Sequence, residues 1–311
     1  MKIVNFKYKD EVSVGFIKDG YVIPLSEISK NKQHLLKEDK FFKNFQKNKF
    51  FFQKSLDNIN VKKFLKISQI ELLSPIIKPN SLRDAYAFRQ HVEAGRKSRN
   101  LPMIPEYDEF PVYYYGNHNS ILGPGTVEIQ NEFSDSIDFE LEVAAIIGKE
   151  GSNIEVSDAD NYILGYTIMN DFSSRKIQKK EMKMSLGPVK GKDFLTTLGP
   201  IIITKDELEN CAIDEGKGLR YDLELKALLN GELISSDNFK NISWTFAQII
   251  SQISKGVTIF PGDVIGSGTC ATGCFLELNQ TNKTDRWLNH NDVISLSVEK
   301  IGILENKIKI I

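Results

Sequence analysis

The sequence contains few cysteines and no long apolar run. Its three cysteines, Cys211, Cys270 and Cys274, are an odd number without the spacing of a zinc site. This argues against a disulfide framework and favours a reduced, cytoplasmic setting. No apolar stretch approaches the roughly 20 residues that a membrane-spanning helix requires. The N-terminus also lacks the long apolar segment of a secretory signal, so we expect no membrane association.

An excess of charge of one sign is also missing. The 311 residues include 40 basic and 41 acidic side chains, which leave a net charge of −1. Nothing in this balance favours a nucleic-acid partner. The chain is longer than one hydrophobic core usually supports. We therefore predict a small N-terminal domain over residues 1–72 and a larger domain over residues 73–311.

The N-terminal part combines short strands with a segment rich in lysine and phenylalanine. Alternation and a Lys-Asp-Gly turn predict strands within residues 1–24. In residues 26–66 lysines and phenylalanines recur at helical spacing. Such a pattern could indicate contact with nucleic acid or a membrane. Because acidic residues elsewhere cancel the charge, a helix with buried phenylalanines and solvated lysines is the preferred interpretation.

The rest of the chain alternates short β runs with Gly, Pro and Asn turns, which is typical of a mainly β domain in the α+β class. Helices are predicted at residues 84–99, 173–184 and 244–255. Strands are predicted at residues 112–115, 139–147, 162–169, 200–204, 223–229, 263–266, 275–278 and 293–298.

The segment Asp138-Phe-Glu-Leu-Glu142 concentrates acidic side chains next to an apolar strand. In a strand, alternation places Asp138, Glu140 and Glu142 on one face. Buried carboxylates that repel each other require solvent, a basic partner or a bound cation. The segment alone does not decide among these three.

Two further segments, residues 163–178 and 187–200, carry polar residues at the ends of apolar runs. Asp171 follows an apolar strand, where it is either a helix N-cap or a ligand. Arg175 and Gln178 are three residues apart and share a face of the helix that follows. Lys192 stands in a glycine-flanked loop, either as a surface lysine or as a fixed cation that faces a developing oxyanion.

Two remaining segments complete the set. Asp84 and His91 are seven residues apart on a predicted helix, so they are expected to share a face. Residues 260–277 contain a Pro-Gly-Asp turn and a loop rich in Gly and Thr, which is either a simple turn or a source of N–H and hydroxyl donors.

Together, and in this order, these segments resemble the fumarylacetoacetate hydrolase family from about residue 74 to the C-terminus. The resemblance implies a mixed β-roll catalytic domain with a small N-terminal β/α domain, assembled as a homodimer. It also implies a divalent cation held by carboxylates at four positions, Asp84, Glu140, Glu142 and Asp171. An all-oxygen set suits Mg²⁺, with Ca²⁺ or Mn²⁺ as alternatives, and argues against zinc.

The resemblance also assigns roles to other residues. His91 corresponds to a general base, and Glu277 to the carboxylate that orients it. Family residues that lie around the substrate's oxygens correspond to Lys192, Arg175, Gln178 and Thr269. A family tyrosine near the substrate's carboxylate corresponds to Tyr86. Two positions depart from the family pattern, because Met182 replaces an aromatic residue and Asn100 replaces an arginine, with Arg96 and Arg99 nearby. Both departures concern substrate identity.

The expected function is that of a hydrolase acting on carbon–carbon bonds in ketonic substances, with a 1,3-diketo acid such as a fumarylacetoacetate-like or acylpyruvate-like substrate. The alternatives within the family are a decarboxylase, hydratase or isomerase of 2-oxo acids. A different class of protein, a metal-binding relative without turnover, is a further alternative. The expected partners are a small dicarbonyl or 2-oxo acid and a second copy of the chain.

Overall fold

A computed structural model of the chain describes residues 1–30, 32–97 and 99–311. Asn31 and Ser98, which fall within the predicted Lys/Phe-rich region and the predicted helix after Asp84, lie outside the described residues. In the described ranges the α-helices are α1 (Leu25–Ile28), α2 (Glu38–Asp57), α3 (Arg89–Lys97), α4 (Val156–Ala159), α5 (Arg175–Glu181), α6 (Lys190–Asp193), α7 (Phe246–Ile253) and α8 (Phe275–Asn282).

Strands supply most of the framework. The first half of the chain contains β1 (Lys2–Tyr8), β2 (Glu11–Lys18), β3 (Tyr21–Pro24), β4 (Leu65–Lys66), β5 (Glu71–Leu72), β6 (Leu82–Ala85), β7 (Tyr113–Gly116), β8 (Ile121–Leu122), β9 (Gly125–Ile129), β10 (Ile137–Asp138), β11 (Leu141–Ile147) and β12 (Gly151–Ser152). The second half contains β13 (Ile163–Asp171), β14 (Ser173–Ser174), β15 (Thr196–Thr204), β16 (Ala212–Asp214), β17 (Leu219–Tyr221), β18 (Glu224–Leu229), β19 (Glu232–Asn238), β20 (Thr258–Ile259), β21 (Val264–Gly266), β22 (Val293–Val298) and β23 (Gly302–Ile310).

One large mixed sheet runs through the chain in the order β4-β3-β2-β1-β15-β13-β11-β21-β6-β7. Its centre is antiparallel, with β11 between β13 and β21, and β21 then pairs in parallel with β6. A second sheet has the order β19-β18-β22-β23-β9. Apolar side chains of both sheets, such as Val143, Ala145, Leu225 and Leu296, share one hydrophobic core. This mixed, mainly β architecture confirms the predicted fold class.

The opposite face of the large sheet is covered by α2. Phe41, Phe42, Phe45 and Phe52 of this helix are buried in a second core that includes Ala144 and other residues of the central strands. Burial of these large rings stabilises the contact, at about 1.5–3 kcal/mol for each fully buried side chain. The predicted helix with buried phenylalanines is therefore confirmed.

The N-terminal strands extend the same large sheet. β1 pairs with β2 and β5, and it also pairs with β15 at Lys2–Ile203 and Ile3–Ile202. The strands predicted within residues 1–24 are thus confirmed. The division of the chain at residue 72 stays a prediction.

Two predicted elements are wrong. The segment at Asp84 is a strand, because β6 pairs with β21 on one side and β7 on the other, and the helix begins only at Arg89. Asp84 and His91 therefore do not share a helix face. Residues 275–278, predicted as a strand, begin helix α8, and Asp138 accepts hydrogen bonds from the first two backbone N–H groups of that helix.

Among the described residues, no helix is both long enough and apolar enough to cross a membrane.

Candidate metal centre

Four carboxylates converge on one face of the large sheet. Helix α2 covers a different part of this same face, farther along the strands. Asp84 comes from β6, Glu142 from β11 and Asp171 from the end of β13, and Glu140 immediately precedes β11. Cross-strand partners point to the same face of a sheet, and the pairing of Leu141 with Asn170 places Glu140 beside Asp171. All four side chains are buried, and their ligand atoms lie within 4.8 Å of one another.

A glycine makes this convergence possible. Gly266 of β21 lies between β6 and β11, where it pairs with Asp84 and Ala144. A Cβ atom at this position would lie 2.4 Å from Asp84 Oδ1 and 2.9 Å from Glu142 Oε2. The missing side chain therefore leaves the space in which the two carboxylates meet across β21.

Two basic side chains balance part of the negative charge. Lys192 in α6 donates through Nζ to Glu140 Oε2 and, at 2.6 Å, to Asp171 Oδ2. Arg175 at the start of α5 donates from Nη2 to Glu140 Oε1 at 2.6 Å. Burial would raise the pKa of Glu140, but the charges of Lys192 and Arg175 outweigh it and hold this pKa below its ordinary value.

The other two carboxylates have no such partner. Within the described ranges Asp84 and Glu142 form no salt bridge, and Glu142 Oε1 is buried without a hydrogen-bond partner. Burial and the nearby charge of Asp171 raise the pKa of Asp84 to about 8. Burial and Asp84 raise the pKa of Glu142 well above its usual value. Two buried carboxyl groups that lack a basic partner, one of them with an orphaned oxygen, fit one divalent cation, which would take the place of the protons that burial favours.

His91 and Glu277 form a buried pair from two helices. His91 lies in α3 and Glu277 in the first turn of α8, and the Nδ1 atom of His91 is hydrogen-bonded to Glu277 Oε1. The backbone N–H of Thr272 donates to Glu277 Oε2 at 3.0 Å. His91 is also close enough to Glu140 for its charge to contribute to lowering the pKa of Glu140, after the larger effects of burial, Lys192 and Arg175.

The predicted substrate-binding residues surround these groups. The ring of Tyr86 makes an edge contact with His91, with a centroid separation of 5.5 Å. Gln178 accepts a hydrogen bond from Arg175 Nη1 at 3.0 Å. Thr269 is buried in the loop after β21, next to Gly268, whose backbone N–H donates at 3.0 Å to both Asp84 Oδ1 and Glu142 Oε2.

Asp138 stays apart from the four carboxylates. Its oxygens accept hydrogen bonds from Arg175 Nε at 2.7 Å and from the backbone N–H groups of Phe275 and Leu276 at the start of α8. The positive end of a helix stabilises a carboxylate in this position. Asp138 therefore fixes Arg175 and α8, and it is not directed at the cluster.

Two residues at the site were missed by sequence reasoning. Tyr114 in β7 is paired with Asp84, and its hydroxyl donates to Asp171 Oδ2 at 2.6 Å. It lies in a run of three tyrosines that shows no individual role for the middle one. Gly266 left a weak signal, because an isolated glycine in a strand often marks a close approach.

Buried carboxylates at the ends of central strands, beside a His–Glu pair, define a candidate divalent-metal enzyme centre. The fold that carries this centre is shared with solved structures of enzymes. A fumarylacetoacetate hydrolase from Exiguobacterium antarcticum superposes with a TM-score of 0.75 over 100% of both chains, at 22% identity. A maleylpyruvate hydrolase from Sphingobium sp. SYK-6, solved in complex with manganese(II) and pyruvate, gives 0.72 over 100% of this chain and 99% of that one, at 16% identity.

Sequence comparison gives the family. Residues 81–309 match the model of the fumarylacetoacetate (FAA) hydrolase C-terminal domain. An oxaloacetate tautomerase of Bacillus subtilis (strain 168) is 28% identical over 246 residues, which are 78% of this chain and 74% of that protein. The chain belongs to the fumarylacetoacetate hydrolase family, as the sequence motifs predicted.

Proposed function

We propose that this chain is a Mg²⁺-dependent hydrolase that cleaves a carbon–carbon bond in a 1,3-diketo acid of the acylpyruvate or fumarylacetoacetate type. The observation that carries the proposal is the buried His91–Glu277 pair beside four converging carboxylates. The pair supplies a base, and the carboxylates supply a site for a cation. Both are features that hydrolysis of a diketo acid requires.

The metal would be held by Asp84, Glu140, Glu142 and Asp171. Their ligand atoms are all oxygens, which hard cations prefer, so Mg²⁺ is the proposed ion, and Mn²⁺ and Ca²⁺ are alternatives. When bound, such a cation polarises a carbonyl oxygen of the substrate as a Lewis acid.

The His–Glu pair is arranged for general base catalysis. If His91 donates its Nδ1 proton to Glu277, its Nε2 atom is left to accept a proton from water. The water oxygen then bonds to the substrate carbonyl carbon, and the adjacent carbon–carbon bond breaks. The electron pair of that bond stays on the leaving carbon as an enolate, which receives the proton from His91. Lys192, held by Glu140 and Asp171, provides fixed positive charge near the developing oxyanion.

The substrate's acid group is proposed to bind near Tyr86. Burial and the charge of Glu140 raise the pKa of Tyr86 to about 12. The positive charges of Arg99 and Arg175 are close enough to Tyr86 to oppose part of this rise. Arg99 is therefore a candidate to serve in place of the arginine that Asn100 replaces. Gln178 and Thr269 are proposed to bind the substrate's other oxygens.

A second candidate function is isomerisation or tautomerisation of a 2-oxo acid. It is favoured by the similarity to an oxaloacetate tautomerase. The same His91 base could move a proton between carbon and oxygen without breaking a carbon–carbon bond. Decarboxylation or hydration of a 2-oxo acid, and metal binding without turnover, are the remaining alternatives.

One substrate panel separates these functions. Acylpyruvates, fumarylacetoacetate-like diketones and oxaloacetate are each incubated with the Mg²⁺-loaded protein, with EDTA as the control, and the products are identified by mass spectrometry. Hydrolysis yields two acids, decarboxylation yields CO₂, and tautomerisation of oxaloacetate changes only the ultraviolet absorption of its enol. Hydrolysis of a diketo acid that EDTA abolishes is the expected result. Its absence across the panel would reject the proposal.

Three accompanying features are also proposals. These are the division into domains 1–72 and 73–311, assembly as a homodimer and a cytoplasmic location. Analytical ultracentrifugation of the full chain tests the dimer directly.

A further inference from the structure

A second group of metal-binding side chains lies beside the carboxylates. His91, Cys274 and Glu277 are all buried, and their ligand atoms lie within 4.8 Å of one another. Cys274 immediately precedes α8, and its Sγ atom is 4.0 Å from Glu277 Oε1, the same oxygen that is hydrogen-bonded to His91. The proposed reaction gives the thiol no role.

The ligand chemistry of this group differs from that of the carboxylates. It offers one imidazole nitrogen, one sulfur and one oxygen, a set that zinc commonly accepts with a fourth position open. A thiolate and a carboxylate together carry two negative charges, which balance one Zn²⁺ ion. The four carboxylates offer oxygen alone and suit hard cations. A site with hard oxygen ligands and a site with softer nitrogen and sulfur ligands therefore lie next to each other in one buried region.

We propose that His91, Cys274 and Glu277 form a binding site for zinc or a similar borderline cation, and that its occupation inhibits the enzyme. Metal binding is argued from the three side chains alone. Inhibition rests in addition on the proposed function, because it requires His91 to be the general base.

The hydrogen bonds of Glu277 prepare this site. Thr272 N–H holds Glu277 Oε2 and leaves Oε1 directed at both His91 and Cys274. The ion would take the place of the proton between His91 Nδ1 and Glu277 Oε1, while these two atoms move apart to accept it. Burial and the charge of Asp138 raise the pKa of the Cys274 thiol, so zinc binding also displaces a proton from sulfur to solvent.

Inhibition follows from the proton balance on the imidazole. A neutral imidazole whose Nδ1 binds a metal carries its proton on Nε2. The nitrogen that faces water then becomes a donor and no longer accepts a proton. Zinc would thus disable the base while the cation held by the four carboxylates stays in place.

Cobalt(II) tests the site without relying on turnover. Cobalt(II) bound to a cysteine gives a sulfur-to-metal charge-transfer absorption in the near ultraviolet, and oxygen ligands do not. Full-length protein with excess Mg²⁺ is titrated with cobalt(II), and zinc is then added as a competitor. Wild-type protein is expected to show the absorption and to lose it on addition of zinc.

The decisive comparison is Cys274→Ser against Cys270→Ser. Cys270 is also buried and lies in the same loop, but it is outside the group of three. Cys274→Ser should lose the absorption and Cys270→Ser should keep it. An absorption that is missing in the wild type, or that persists in Cys274→Ser, would overturn the proposal. If Cys274→Ser fails to fold by circular dichroism, Glu277→Gln replaces it and should weaken cobalt binding by at least about tenfold.

A turnover assay adds the second readout. Zinc is expected to inhibit the Mg²⁺-loaded enzyme, and the zinc concentration for half inhibition should rise at least about tenfold in Cys274→Ser relative to Cys270→Ser. Equal zinc sensitivity of the two variants would reject inhibition through this site. If the protein hydrolyses no diketo acid, the proposed function fails, and the cobalt spectrum still decides whether the metal site exists.

Discussion

Asp84 and Glu142 share one donor, the backbone N–H of Gly268, although they come from strands that are not neighbours. The N–H lies 3.0 Å from Asp84 Oδ1 and 3.0 Å from Glu142 Oε2. The intervening strand contributes Gly266, whose missing side chain lets the two carboxylates meet. Their proximity is therefore built into the sheet by one glycine.

Gly266→Ala is expected to weaken divalent-cation binding strongly. The added Cβ would lie 2.4 Å from Asp84 Oδ1 and 2.3 Å from Met169 Cε, so the carboxylates must separate. We expect Mn²⁺ affinity to fall by at least about tenfold, as for other changes that misorient metal ligands. Isothermal titration calorimetry measures this loss.

The matched control is Gly116→Ala at the end of β7. There the three atoms nearest to the added Cβ all belong to the side chain of Leu82, which can shift, and none belongs to a carboxylate. This variant should bind Mn²⁺ within a few-fold of wild type. Equal losses in both variants would show that Gly266 acts through general stability and not through the carboxylates.

Without metal, thermal stability is expected to fall as the pH rises from about 4 to about 8. Burial and the charge of Asp171 raise the pKa of Asp84 to about 8, whereas an aspartate in the unfolded chain has a pKa of about 3.9. Between these values the folded state holds a proton that the unfolded state has released. The stabilisation is therefore fully present below pH 4 and is lost as the pH rises through 8. Melting temperatures measured in EDTA across this range test the decline.

Excess Mg²⁺ should oppose this decline, because the cation binds the ionised carboxylates and binds more tightly as they lose protons. In Asp84→Asn the amide does not titrate, so the fall in EDTA should be smaller. A melting temperature in EDTA that rises steadily between pH 5 and 8 in wild type and variant alike would contradict the assigned pKa of Asp84.

Tyr114→Phe is expected to reduce Mn²⁺ affinity by about tenfold. The change removes the hydroxyl that donates to Asp171 Oδ2 at 2.6 Å and leaves the ring in place. Tyr115→Phe is the control, because Tyr115 is exposed and its ring contacts Arg83. Calorimetry on both proteins should show a loss for Tyr114→Phe alone, and an unchanged affinity would mean that this hydroxyl does not support Asp171.

Local patterns predicted those parts of the fold that depend on periodicity. Alternation in the acidic segment correctly placed Glu140 and Glu142 on one face, but Asp138, predicted on the same face, instead binds Arg175 and the start of α8 because the strand is interrupted after it. Helical spacing predicted the buried phenylalanines of α2. Asp84 was assigned to a helix because its pairing with β21 and β7 is non-local. The start of α8 was missed because the buried acceptor of its first N–H groups, Asp138, lies 137 residues earlier.

Prediction of the candidate metal centre from sequence is limited by the same non-local pairing. The four carboxylates were grouped through motifs that resemble a family, and no spacing in the sequence brings Asp84 to Glu142. That meeting depends on the register of β6, β21 and β11, in which Gly266 pairs with both Asp84 and Ala144. Tyr114 depends on the same register, so its hydrogen bond to Asp171 is visible only in the folded chain.

We expect His91 and the four carboxylates to have separable roles, as base and as metal ligands. His91→Ala is expected to lower kcat by about 10²–10⁴-fold, the usual contribution of a general base, and to leave Mn²⁺ affinity within a few-fold of wild type, because His91 is not among the four carboxylates. Glu277→Gln should cause a comparable loss, because the amide oxygen is needed to accept from Thr272 N–H and the NH₂ group then faces His91 Nδ1, which favours the imidazole tautomer with its proton on Nε2. Steady-state kinetics on the diketo acid that the panel identifies, together with calorimetry, measure both effects. Full turnover in His91→Ala with metal bound would exclude His91 as the base and would favour chemistry that needs no activated water.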